Sequence, residues 1–125
     1  MNLVDSSGWL EYFADGPNAG YFSRPIQELT QLIVPTLSIF EVFKRVSQQR
    51  GEGDALQAIA VMQQASVVEL TSPLALDAAR LSLEMHLPMA DSIILATARA
   101  FGATLWTQDA DFKHLDGINY IEKKA

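Results

Sequence analysis

Apolar residues along the chain follow two rhythms. NLV (Asn2–Val4), LIV (Leu32–Val34) and ATLWT (Ala103–Thr107) are short, nearly unbroken apolar runs. Their length and their turn-rich flanks predict buried strands. SVVEL (Ser66–Leu70) alternates and is β-branched, which predicts another strand, and INYIE (Ile118–Glu122) predicts the last. The stretches between them repeat at helical spacing. SSGWLEYFADG predicts a short helix ended by Gly16-Pro17. Residues 18–31 are amphipathic, with Pro25 opening or kinking a helix. PTLSIFEVFKRVSQQRG is a helix framed by Pro35 and Gly51, and DALQAIAVMQQA follows as another. SPLALDAARLSLEM offers Ser72 as N-cap with Pro73 at the first helical position, and PMADSIILATARAFG runs to Gly102.

Strands that alternate with helices build a parallel sheet covered on both faces. The expected fold is therefore a three-layer α/β/α domain whose short, mostly parallel central sheet has about four or five strands. No linker, repeat or low-complexity run interrupts the 125 residues, so one domain over 1–125 is expected.

Composition narrows the chemistry. Hydrophobic residues are 49% and charged residues 19%, which is globular usage. With no cysteine, disulfides, thiolate zinc sites and thiol nucleophiles are excluded. MNLVDSSGW lacks the basic start and apolar run of a signal peptide. The most apolar stretch, SIILATARAFGATLW, is broken by Arg99 and Gly102, short of the roughly 20 apolar residues of a spanning helix. The expectation is a soluble cytoplasmic protein that avoids membranes. The net charge of −6 repels phosphate backbones and argues against a general nucleic-acid binder, unless bound cations invert the sign locally.

Four acids lie where apolar residues belong. Asp5 ends the first strand, where an N-cap is the ordinary explanation. Glu41 shares a helical face with Leu37, although Ser38-x-x-Glu41 also fits a capping box. Asp91 falls on the apolar stripe of Leu87, Ile94, Leu95 and Ala98, close to a helix start whose dipole favours its charge. Asp109 follows LWT at a strand tip, and Asp111 comes two residues later; an Asx-turn or a cap for a helix starting near Ala110 would also explain them. Strand tips of a parallel sheet share one edge, and the starts of its helices pack near that edge. The chain can therefore gather four carboxylates in one cleft. Such a cluster calls for a hard divalent cation with oxygen ligands, Mg²⁺ or Mn²⁺.

As an ordered set, LVDSSGWLEYF, PTLSIFEVFKRV and LPMADSIILATARAFGATLWTQDADF resemble the PIN domain, and within it the VapC-type toxins of bacterial toxin–antitoxin pairs. The resemblance covers nearly the whole chain. It implies that Asp5, Glu41, Asp91 and Asp109 form an acidic site that is both catalytic and metal-binding, with Ser6, Thr107 and Asp111 in support. Trp106 is bulkier than the aliphatic residues usual before that threonine. The implied activity is Mg²⁺- or Mn²⁺-dependent endoribonuclease cleavage by a metal-activated water, leaving a 5′-phosphate and a 3′-hydroxyl. The implied partners are RNA, a cognate antitoxin and a second copy in a homodimer.

Trp9, Tyr12 and Phe13 recur at i, i+3 and i+4 on one short helix. Core packing accounts for part of the trio; the resemblance adds an apolar groove for an antitoxin tail. Arg24, Lys44, Arg45, Arg50, Arg99, Lys113, Lys123 and Lys124 are left to meet phosphates or, more ordinarily, water. His86 and His114 lack ligand spacing. Two other readings compete. One is a PIN-like module that binds without catalysis. The other is a Mg²⁺-binding receiver-like phosphoacceptor, which fits poorly because SVVEL ends without an aspartate.

Overall fold

The computed structural model describes residues 1–124. Five strands, β1 (Asn2–Val4), β2 (Leu32–Pro35), β3 (Ser66–Val68), β4 (Thr104–Thr107) and β5 (Ile118–Tyr120), form one sheet in the order β3-β2-β1-β4-β5. Every neighbouring pair is parallel. The helices are α1 (Ser6–Phe13), α2 (Ala19–Gln27), α3 (Thr36–Arg50), α4 (Glu52–Met62), α5 (Ser72–Met85) and α6 (Met89–Ala100). This strand order differs from the 2-1-3-4-5 arrangement of flavodoxin-like sheets, which removes the receiver-like alternative on topology.

Each strand sends alternate residues to opposite faces, and both faces are dry. Val4, Leu32 and Val34 join Trp9, Phe22, Val42, Ile59 and Met62 on one side. Leu3, Ile33 and Leu105 join Leu87, Ile94, Leu95 and Phe112 on the other. These two cores divide the helices into outer layers, α1–α4 against α5 and α6, which is the three-layer arrangement expected. The apolar stripe read on α6 is correct: Leu87, Ile94, Leu95 and Ala98 are all buried.

Several boundaries differ from expectation. Residues 18–31 split into α2 and a 3-10 turn at Leu29–Gln31, with Pro25 inside α2 two residues before its end. A proline lacks the N–H and crowds the preceding turn, so the helix soon stops. β3 ends at Val68, opposite Pro35, which has no N–H to extend the ladder. α4 begins at Glu52, directly after Gly51, whose φ of 94° ends α3 in a conformation favoured by glycine. Thr71, rather than Ser72, caps α5, its Oγ1 accepting from the Leu74 N–H at 3.4 Å; Ser72 and Pro73 are already helical. The capping box of Ser38 and Glu41 does not form. α3 starts earlier, at Thr36, and the Ser38 hydroxyl is buried without a partner. Glu41 is therefore inside the helix and not engaged at its end.

In the central register Leu3 lies opposite Leu105 and Val4 opposite Trp106. The Asp5 N–H continues that ladder to the Trp106 carbonyl at 3.2 Å. The carboxyl ends of β1 and β4 thus finish side by side, which places the acids that follow them at one edge.

Candidate metal centre

Asp5 leaves β1 in extended conformation and caps α1. Its Oδ1 accepts from the Gly8 N–H at 3.1 Å and from the Ser7 hydroxyl at 2.6 Å. Its Oδ2 accepts from Thr107 Oγ1 at 2.5 Å. The capping explanation is therefore correct and incomplete, since a cap uses one oxygen and here both are held. Thr107 is fully buried at the tip of β4, and its Oγ1 also accepts from the Asp109 N–H at 2.9 Å. One hydroxyl thus ties the acid after β1 to the acid after β4.

Asp109 repeats the pattern on a smaller scale. Its Oδ1 accepts from the Asp111 N–H at 2.9 Å and caps a 3-10 turn at Ala110–Phe112, anchored by the fully buried Phe112. Asp91, in the first turn of α6, reaches the same place. Among the described residues, Asp91, Asp109 and Asp111 each offer a carboxylate oxygen such that all three lie within 4.8 Å of one another. Asp111 therefore sits inside the tight cluster, although sequence reading gave it only a supporting place. Asp5 and Glu41 flank it: each feels the charge of Asp109.

Burial and mutual repulsion disfavour the ionised form of these acids. Burial pushes Asp5 up to about 6 from an ordinary 3.8, against the opposing hydrogen bonds from Ser7, Thr107 and Gly8. Asp91 is pushed up to about 8, first by burial, then by the hydrogen-bonded Asp111 carboxyl and by the charges of Asp109, Asp111 and Asp5. Glu41 is raised by burial and by Asp109, with the Ser6 hydroxyl pulling the other way. No lysine or arginine pairs with these acids among the described residues, where the one ion pair is Arg80–Asp77. An all-oxygen, all-anionic donor set without a basic partner fits a hard divalent cation.

Sequence reading gave Ser6 a supporting place at the site. The serine hydroxyl on Asp5 is that of Ser7, and Ser6 acts on Glu41. Two further residues went unnoticed as part of the site. Gln108 is buried, and its N–H donates to Ser7 Oγ at 3.3 Å. Asn18 is also buried; its Nδ2 donates to Gln108 Oε1 and to the Glu122 carbonyl, both at 3.0 Å. The second serine of VDSS was the available signal for Ser7; nothing in the sequence marks Asn18.

Of the aromatic trio, Trp9 is fully buried in the core and stacks on Phe13 at 5.6 Å, so it is a packing residue and not an exposed anchor. Tyr12 and Phe13 are half-buried. His86 and His114 are exposed, His86 serving as the left-handed C-cap of α5. The bulk of Trp106 is absorbed by Tyr21, 5.1 Å away between ring centroids, and by a hydrogen bond to Asn2 Oδ1 at 2.9 Å. No helix among the described residues is long and apolar enough to cross a membrane.

The fold is shared with solved toxin structures. A toxin–antitoxin complex from Klebsiella pneumoniae is 21% identical with a TM-score of 0.77, covering 94% of this chain and 95% of that one. VapC20 of Mycobacterium tuberculosis, a toxin that cleaves the sarcin–ricin loop, is 18% identical with a TM-score of 0.79 over 95% and 98% of the two chains. DNA-bound VapBC of Salmonella typhimurium is 13% identical with a TM-score of 0.77 over 98% of each. No curated protein matches the chain in sequence. The family model of the PIN domain matches residues 3–118, nearly the full length. The chain belongs to the PIN-domain family.

Proposed function

We propose that this protein is a metal-dependent endoribonuclease and the toxin of a toxin–antitoxin pair. The observation that carries the proposal is the convergence of Asp91, Asp109 and Asp111 within 4.8 Å, with no ion pair to any of them among the described residues. Asp91, Asp109 and Asp111 would hold Mg²⁺ or Mn²⁺, with Asp5 and Glu41 beside them. The bound cation supplies Lewis-acid stabilisation of phosphate charge and a water acidic enough to attack near neutral pH.

The chain's own residues supply orientation. Thr107 and Ser7 hold both oxygens of Asp5, which fixes the plane of its carboxylate. Ser6 favours the ionised form of Glu41, the form able to accept a proton. The same acids keep a polyanion out until cations are present, so the chain's net charge of −6 makes RNA engagement conditional on metal.

The toxin assignment draws on fold likeness to VapC20 and to toxin–antitoxin complexes, two of them bound to DNA as whole complexes. On this reading a cognate antitoxin restrains the enzyme in the cytoplasm. Its tail would meet the half-buried Tyr12 and Phe13, and the active form is a homodimer.

The test is RNA cleavage by antitoxin-free protein in Mg²⁺, in Mn²⁺ and in chelator, beside an identically purified Asp5→Asn protein. Cleavage that needs both metal and Asp5 is expected. A folded, metal-loaded protein that leaves a broad RNA panel intact would favour a binding module instead.

A further inference from the structure

A groove of about 750 Å³ opens beside the acids, with Asp109 and Ser6 among its lining residues. Its walls come from α1, α3 and the segment after β5, and it holds two cations, Arg45 and Lys123. Neither forms an ion pair among the described residues, whose single salt bridge lies on α5. In a chain with 9 basic residues against 15 acidic ones, two unpaired cations bordering the acidic cluster are out of keeping with the surrounding charge.

Their positions follow from the fold. Arg45 lies four residues after Glu41 on α3, one helical turn along the same face and about 6 Å further on. Gln49 continues that face by another turn, and its side chain is exposed. Tyr120 lies opposite Thr107 in the β4–β5 register, so its ring is one strand away from the tip that holds Asp5 and Asp109. Lys123 follows three residues later in the segment secured by Asn18 at the Glu122 carbonyl. Two carboxylates also border the groove. Glu11 is committed to the Asn18 N–H at 2.7 Å, and Glu122 is exposed.

We propose that this groove carries single-stranded RNA past the acids: Arg45 and Lys123 hold phosphates flanking the scissile one, and Tyr120 stacks a base. The proposal rests on the ribonuclease reading above and adds the path of its substrate. Cations and an aromatic ring lining one groove form the ordinary platform for a single strand. Gln49 is an exposed amide on this path and supplies hydrogen bonds to a base edge. A duplex lacks an unstacked base to offer Tyr120, so the site selects loops and unpaired segments.

The experiment uses the full wild-type chain as parent and a fluorescein-labelled pool of short random-sequence RNA, with Ca²⁺ in place of Mg²⁺ so that the acids stay intact and cation-loaded while cleavage is suppressed. Anisotropy gives affinity across a salt series. Arg45→Ala and Lys123→Ala are each expected to weaken binding about fivefold and to make the salt dependence shallower by about 0.7 in log–log slope. Tyr120→Ala is expected to weaken binding about tenfold with the slope unchanged, and Tyr120→Phe to restore it. Arg80→Ala, on the distant face of α5, should bind as the parent does. Groove variants that bind like the parent, or a parent that does not bind the pool, would overturn the proposal. Metal-dependent cleavage by the wild-type chain is measured alongside. If it persists while the groove variants bind normally, the path is wrong and the nuclease reading stands. If no metal supports cleavage, the nuclease reading itself fails.

Discussion

Thr107 Oγ1 donates to Asp5 Oδ2 at 2.5 Å while accepting the Asp109 N–H at 2.9 Å. This buried hydroxyl joins two strand tips that are 102 residues apart in sequence. Its removal leaves a buried carboxylate oxygen and a backbone N–H without partners. Thr107→Val should cost about 2 kcal/mol of stability in chemical denaturation. Metal affinity measured by calorimetry should fall by about 10- to 100-fold, as for other losses of groups that orient a ligand. Thr107→Ser, which keeps the hydroxyl, should recover most of both. A Val variant with unchanged metal affinity would show that Asp5 needs no such support.

Stability should depend on pH in an unusual sense. Asp5 and Asp91 are raised in the folded state to about 6 and about 8 from an unfolded 3.8. Between those values the folded chain holds protons that the unfolded chain has released. Stability of the metal-free protein is therefore full at low pH and is lost as pH rises through each folded value. At about 1.4 kcal/mol per unit, Asp5 alone accounts for about 3 kcal/mol. Half-buried Asp91 adds a smaller, solvent-screened share that is lost progressively from about pH 4 up to its folded value near 8. Melting in chelator should show Tm falling from about pH 4 to pH 8. Because the cation requires deprotonated ligands, Mn²⁺ should raise Tm most at the alkaline end. A metal-free Tm that rises over this window would contradict the shifts.

Asp91→Asn separates function from stability. It removes a ligand of the cluster and also the most strongly raised carboxylate. Cleavage should disappear. In chelator near pH 8 the variant should be more stable than wild type by on the order of 1 kcal/mol, a few degrees in Tm. A variant that cleaves at the wild-type rate would remove Asp91 from the site. Lost cleavage together with lost stability would point to a structural role instead.

The fold was legible because burial on both faces leaves a plain signature. LIV and NLV are short apolar runs between helical repeats, and only a covered parallel sheet accommodates that order. The edges of the site were less so. Asp5 and Asp109 could be found because they lie one and two residues past a strand, and Asp91 because it interrupts an apolar stripe. Asp111 and Ser7 could not be ranked: whether the residue two positions past each strand-tip acid faces the cleft depends on the turn, and the turn is set by Phe112 and by the cap on Gly8. Asn18 lies 90 residues from Gln108, and pairing over that distance leaves no local pattern.

Gly8 shows how closely the site is tied to the core. A Cβ at this position would lie 2.6 Å from Val4 Cγ1 and 2.7 Å from the Phe22 ring. Glycine inside a helix costs about 1 kcal/mol relative to alanine, so propensity alone favours Gly8→Ala. The clash opposes it, because Val4 and Phe22 are both fully buried and have no room to withdraw. Overpacking of this kind costs about 1–3 kcal/mol, so the variant should be destabilised on balance. The same displacement moves the Gly8 N–H, which is one of the donors on Asp5 Oδ1. Metal affinity should therefore fall with stability in Gly8→Ala. Gly20→Ala, with nothing within 4 Å of its added Cβ, should leave metal affinity unchanged and gain slightly in stability. If Gly8→Ala is as stable as Gly20→Ala, the close packing of α1 on β1 is looser than these contacts require.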